Sequence, residues 1–310
     1  MFFVSCTISN HNSIKYSRNL KMKKFKFSSR YFSALLLTVL FLLSNNPKSF
    51  SQTNEYLTTE SRKIHDQFWA ADSLIFDQMM EGTDFQTPVF IFDSKIEGPA
   101  VLIIGGTHGN EPAGFEAAHR LLKLFFSNKI LKGKIFIIPE SNKNAAYKNK
   151  RRIPVPDSVD KEMGNLNRCY PGEKNGLPMQ QMAFEITRLI KKENISLVLD
   201  LHESPRYHLE SVNKKDEYHG LGQTLIYTVN ERAVWLGMVA VDFLNENIPQ
   251  GIKRFTLVEQ PIKHSCAWSA GENFNIPAFT VETCRKLPLE ERIEYQIKTV
   301  IVMLKEEGII

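Results

Sequence analysis

Three uninterrupted apolar runs constrain this chain more than any other feature: PAVLIIGG at 99–106, KIFIIPES at 134–141 and ISLVLDLHE at 195–203. A strand that is apolar at nearly every position has both faces buried, which is the situation of a parallel strand lying between layers of helices. Helical spacing fills the intervals. Phe115, Ala118, Leu121, Leu122 and Phe125 share one face over 112–126, and Ile293, Ile297, Val300, Ile301 and Leu304 share one over 289–307. Further helices are expected at 59–81, 178–192 and 231–248, and further strands at 87–96, 223–229, 255–260 and 277–284. This alternation predicts an α/β fold with a mixed, mainly parallel sheet and helices on both faces. No internal repeat or low-complexity tract interrupts it. Residues 142–176 read as one long polar loop, a length that in a compact domain usually goes with function.

The net charge of +5 misleads. Residues 1–51 hold eight Lys or Arg and no acid, leaving 31 basic residues against all 34 acidic ones in 52–310. The body of the chain is therefore slightly acidic, and no nucleic-acid partner is expected. The leader has its own logic. From Met22 it reads MKKFKFSSR, then an apolar run of about 13 residues, then SNNPKSFSQ, the three-part pattern of a secretory signal peptide. A membrane span needs about 20 apolar residues, so no stable span is expected once the signal is removed. The division is thus a signal peptide with an upstream leader over 1–51 and a single domain over 52–310, exported to the periplasm or beyond. After the leader, three cysteines remain, Cys169, Cys266 and Cys284, which permits one disulfide and a free thiol but no disulfide framework.

In open α/β sheets, ligands gather beyond the carboxyl ends of the strands. PAVLIIGG runs into Thr107-His108-Gly109-Asn110-Glu111, ISLVLDL into His202, and PAFTV into Glu282. Two imidazoles and one carboxylate leave a coordination position open, the composition of a catalytic rather than a structural zinc site. His108, Glu111 and His202 are the candidate ligands for one zinc per chain, and Glu282 the candidate general base. His208, His219 and His264 are read as ordinary loop residues.

Four motifs, GGTHGNEPAG (105–114), GNLNRCYPG (164–172), DLHES (200–204) and FTVETC (279–284), occur in this order. With them the chain resembles the succinylglutamate desuccinylase/aspartoacylase family, a branch of the zinc carboxypeptidase superfamily, over about residues 97–305. The resemblance implies a zinc-carboxypeptidase-like fold and a zinc-dependent amidohydrolase. It assigns the zinc to His108, Glu111 and His202, catalysis to Glu282, and the grip on a substrate carboxylate to Asn167 and Arg168. An arginine upstream of that pair polarises the scissile carbonyl; Arg151 and Arg152 are the candidates, with Arg152 preferred because it directly precedes the apolar Ile153. Where relatives often carry Asp as the partner of a zinc ligand, this chain has Asn165. The aspartoacylase branch carries a further β-rich domain after the catalytic glutamate, whereas 28 residues follow Glu282 here, so a more open pocket is expected. Tyr218 and Tyr227 are candidates for a mobile tyrosine. The substrate expected is a small molecule or peptide with a carboxylate. A deacylase is the first reading, a metallocarboxypeptidase or amidase on cell-wall peptides the second, and a silent ligand-binding protein the third.

Overall fold

The computed structural model describes residues 56–69, 76–211, 220–259 and 261–310. The expected signal segment, and with it Tyr218 and His219, lies outside the described residues. In chain order the elements are α1 (Thr59–Trp69), β1 (Phe76–Met79), β2 (Thr87–Asp93), β3 (Ala100–Ile104), α2 (Pro112–Ser127), β4 (Lys134–Ile138) and α3 (Lys143–Tyr147). Two 3-10 turns, Lys161–Gly164 and Leu166–Arg168, precede α4 (Pro178–Lys192) and β5 (Leu197–Ser204). There follow α5 (His208–Ser211), β6 (Thr224–Tyr227), α6 (Glu231–Asn245), β7 (Thr256–Glu259), α7 (Cys266–Phe274), β8 (Ala278–Cys284) and α8 (Leu289–Glu306).

The eight strands form one sheet in the order β1-β2-β4-β3-β5-β8-β6-β7. Its centre, β4-β3-β5-β8, is parallel; β1, β2 and the β6–β8 pairing are antiparallel. Alternation along β3 shows why its run had to be apolar throughout. Val101 and Ile103 join one core with α2, α6 and α8, while Leu102 and Ile104 join a second core with α4 and α7. Burying each such side chain stabilises the fold by about 1.5–3 kcal/mol, so a polar substitution on either face of β3 breaks a core. The mixed sheet with helices on both faces agrees with the expectation.

Besides the short α3 and α5, which fall in stretches read as loop, two elements differ from it. Residues 59–81 are not one helix: α1 ends at Trp69, and Phe76–Met79 pairs antiparallel with β2. The few apolar residues there satisfy helical spacing, but an open edge of β2 offers hydrogen bonds to an extended segment. The second is α7, which lies in a stretch assigned to no element. Its start is a side-chain cap, with Ser265 Oγ accepting the N–H of Trp268 at 3.1 Å. Among the described residues no helix is long and apolar enough to cross a membrane.

Candidate metal centre

The centre is built where β3 ends and α2 begins. Gly106 turns the chain at φ +70°, a conformation that costs a side-chain-bearing residue. Gly109 lies so close to α3 that a Cβ there would sit 2.0 Å from the Ala145 carbonyl carbon. These two positions fold the His108–Glu111 loop down onto the sheet. Glu111 then occupies the N-cap of α2, ahead of Pro112, but its side chain caps nothing. The free N–H of Ala113 is instead taken by Glu203 of β5 at 2.9 Å, and Glu203 is held by Arg292 of α8. Glu111 is thereby released for other work.

Its carboxylate meets both imidazoles. Oε1 is 3.0 Å from His108 Nδ1, and Oε2 is 3.0 Å from His202 Nδ1 while also accepting the Glu203 N–H at 3.0 Å. The two Nδ1 atoms are 3.1 Å apart. All three residues are buried, and among the described residues they form the single group of at least three His, Cys, Asp or Glu whose donor atoms could hold a metal. Tetrahedral ligands about 2.0–2.1 Å from a zinc ion stand about 3.3 Å from one another, so the observed spacing fits that cation. Each imidazole is also held from behind. His202 Nε2 lies 2.9 Å from Asp200 Oδ2, at ion-pair distance without hydrogen-bond alignment, and His108 Nε2 is 2.9 Å from Asn165 Oδ1. Such partners orient ligating histidines and select which nitrogen binds.

Charge in this dry cluster is tightly balanced. Burial pushes His108 below the ordinary histidine value, more strongly than Glu111 raises it. Burial presses His202 the same way, yet the charges of Asp200 and Glu111 hold it well above. Glu111 stays well below the usual carboxylate range, because the two histidines outweigh its burial. Glu282, on β8, stands beside His202 in the strand register, and its Oε2 is buried without a partner. Burial first, and then the charge of Glu111, push its carboxyl up to about 8.

Asn167 and Arg168 lie in the second 3-10 turn. The Asn167 oxygen accepts the Cys266 N–H at 3.0 Å, which leaves its NH2 as the free donor. Arg168 donates to the Asn167 carbonyl at 2.7 Å, and burial followed by the charge of Arg151 lowers its proton affinity. The preference for Arg152 is corrected. Arg151 reaches the centre, donating to Glu111 Oε1 at 2.8 Å, while Arg152 is turned away and paired with Glu162. Adjacent side chains in this non-helical segment diverge, and only the one facing the sheet rim meets the centre. Tyr227 is also corrected: it is buried in β6 against Phe279 and bonded to Glu259, packed in rather than mobile. Cys169, Cys266 and Cys284 are all buried free thiols. His264 contacts the Tyr170 carbonyl from a loop, whereas His208, read as a loop residue, opens the short helix α5 and contacts the Gly220 carbonyl.

Sequence reasoning left Asp200 and Glu203 without a role. A readable signal existed for Asp200: it is a charge inside a buried apolar strand, two residues before His202 and therefore on the same face. Nothing comparable marks Glu162.

Fold and donor set together define a protein of the zinc-carboxypeptidase architecture with a two-histidine, one-carboxylate centre. Residues 97–219 match the succinylglutamate desuccinylase/aspartoacylase catalytic domain. It is 33% identical over 110 residues to an N-alpha-acetyl-L-2,4-diaminobutyric acid deacetylase of Halomonas elongata, a match covering 36% of this chain and 30% of that protein. Among solved structures, the mDAP-bound form of Csd4, a D,L-carboxypeptidase of Helicobacter pylori, superposes with a TM-score of 0.58 at 23% identity. That match covers 69% of this chain and 52% of Csd4. An aspartoacylase family protein of Mesorhizobium loti gives a TM-score of 0.57 at 23% identity, covering 77% of this chain and 67% of the other. The chain thus spans less than a third of the curated relative and about half of Csd4.

Proposed function

We propose that this chain is an exported zinc-dependent amidohydrolase that cleaves an amide beside a carboxylate-bearing group. One observation carries the reading: three buried donors converge within 3.0–3.1 Å of one another, next to an unpaired buried carboxyl at Glu282. His108, Glu111 and His202 would hold a zinc ion, which would supply Lewis acidity that lowers the pKa of water to about 7 and polarises a carbonyl. Glu282, buried beside His202, would take the proton of the attacking water and return it to the leaving amine. Arg151, which reaches the centre at Glu111 Oε1, would steady the developing oxyanion. The NH2 of Asn167 and the fork of Arg168 hold the substrate carboxylate.

Purified protein is expected to carry about one zinc per chain. Glu282→Gln is expected to keep the zinc while kcat falls by about 10²–10⁴, the usual contribution of a positioned acid–base group. Loss of zinc on that substitution would remove Glu282 from the role. Deacylation is the first reading because the matched family and the Halomonas relative are named for it. Cleavage of cell-wall peptides is the second, favoured by the fold shared with Csd4 and by the export signal read at 22–51. Mass spectrometry after incubation with N-acyl amino acids and with muropeptides separates the two. A freed acyl group establishes the first reading, and a shortened muropeptide the second. A zinc-loaded protein inert on both is a binding protein instead.

A further inference from the structure

On its Nε2 side His108 meets an amide where His202 has a carboxylate, and the structure shows where the charge has gone. Asn165 is fully buried, and its amide orientation is dictated by its neighbours. Its NH2 donates to Glu162 Oε2 at 2.8 Å, so its Oδ1 is the end that faces His108 Nε2 at 2.9 Å and the Asn167 N–H at 3.1 Å. Reversing the amide would set an oxygen against a carboxylate and an NH2 against an N–H, so the network admits one arrangement. It follows that His108 carries its proton on Nε2, and that Nδ1 presents a lone pair toward Glu111 and His202. Glu162 is itself held at three points. Its backbone N–H is capped by Asp160 Oδ1 at 2.9 Å, its Oε1 takes Arg152, and its Oε2 takes Asn165.

We propose that Glu162 is a positioning residue of the centre, supplying through the Asn165 amide the negative charge that a carboxylate at 165 would place directly on His108. A carboxylate behind an amide polarises it, strengthening the hydrogen bond the amide accepts on its far side. The pair Asn165–Glu162 does for His108 what Asp200 does for His202. Arg152, turned away from the reaction, orients that carboxylate. The inference rests on the metal centre proposed above and adds a residue that touches neither metal nor substrate.

The test is zinc affinity of the metal-stripped protein, measured by competition with a chromophoric chelator, alongside the thermal melt of each metal-free variant. Glu162→Gln is expected to weaken zinc binding about tenfold, the lower end of the range for such outer partners, because Glu162 is partly exposed. The double variant Glu162→Gln, Asn165→Asp exchanges carboxylate and amide while keeping donor and acceptor matched. It is expected to recover affinity to within about threefold of the parent. Asn165→Asp alone sets two carboxylates against each other and is expected to bind worse than the double variant. A parent-like affinity in Glu162→Gln, or a double variant no better than Glu162→Gln, overturns the proposal while leaving the metal centre standing. A parent protein that binds no zinc overturns both.

Discussion

His108 and His202 face each other across 3.1 Å, yet they are supported by different kinds of structure. His202 sits in a strand paired on both sides, with β3 on one flank and β8 on the other. Its ion-pair partner Asp200 is two residues earlier on the same strand and takes a hydrogen bond from Thr107 Oγ1 at 2.7 Å. Gln296 of α8 fixes its carbonyl at 2.8 Å. His108 sits on a loop, and its partner Asn165, 57 residues away, lies between two 3-10 turns and is backed by an ion pair that touches solvent. Sheet support needs only period-two spacing, so a bare carboxylate can be buried where the imidazole will be. Loop support must be assembled from distant segments, and there the charge stays at the surface and works through an amide.

The sheet side should therefore dominate the electrostatics, and three experiments probe this. The largest effect is expected in the metal-stripped protein as pH rises. Glu282 has a folded-state pKa of about 8, above its ordinary 4.5, so the folded state binds the proton more tightly than the unfolded chain. Its contribution is fully present below about pH 4.5 and is lost as pH climbs toward 8; at 1.36 kcal/mol per unit it amounts to at most a few kcal/mol. Melting temperature should fall between pH 5.5 and 8.5, and Glu282→Gln should flatten that slope. An unchanged slope in the variant would place the pH dependence elsewhere.

Next in size is the contrast between partners. Asp200→Asn should weaken zinc binding about 100-fold and Asn165→Ala about tenfold, the two ends of the range seen for outer partners. Equal losses by chelator competition would erase the distinction between sheet and loop. The smallest effect is expected from Arg152→Ala. The Arg152–Glu162 pair is about 40% exposed, and such pairs contribute less than about 1 kcal/mol. Zinc affinity should stay within about threefold of the parent. A collapse of binding would mean that the carboxylate cannot hold its place without the arginine.

Much of this was visible in the residues. The apolar runs marked β3, β4 and β5, the apolar spacing over 112–126 marked α2, and His108 and Glu111 at the exit of β3 marked candidate ligands. The boundary between α1 and β1 was not visible, because a few apolar residues satisfy helical and extended spacing alike until a neighbouring strand edge selects one. Arg151 and Arg152 differ in sequence only by one position, and which of them reaches Glu111 depends on how the 148–165 segment lies against the sheet. Asn165 was noticed as a departure, but its compensation by Glu162 needed both side chains in view.

Local pattern alone determined which segments are buried strands and which residue types stand at their carboxyl ends, since periodicity and hydrophobicity act over a few neighbouring residues. The tertiary structure decided the strand order, the meeting of residues 108, 111, 202 and 282, the choice of arginine, and the route by which charge reaches His108. Those depend on contacts across 40 to 94 residues of chain, and their geometry is set by how whole layers pack.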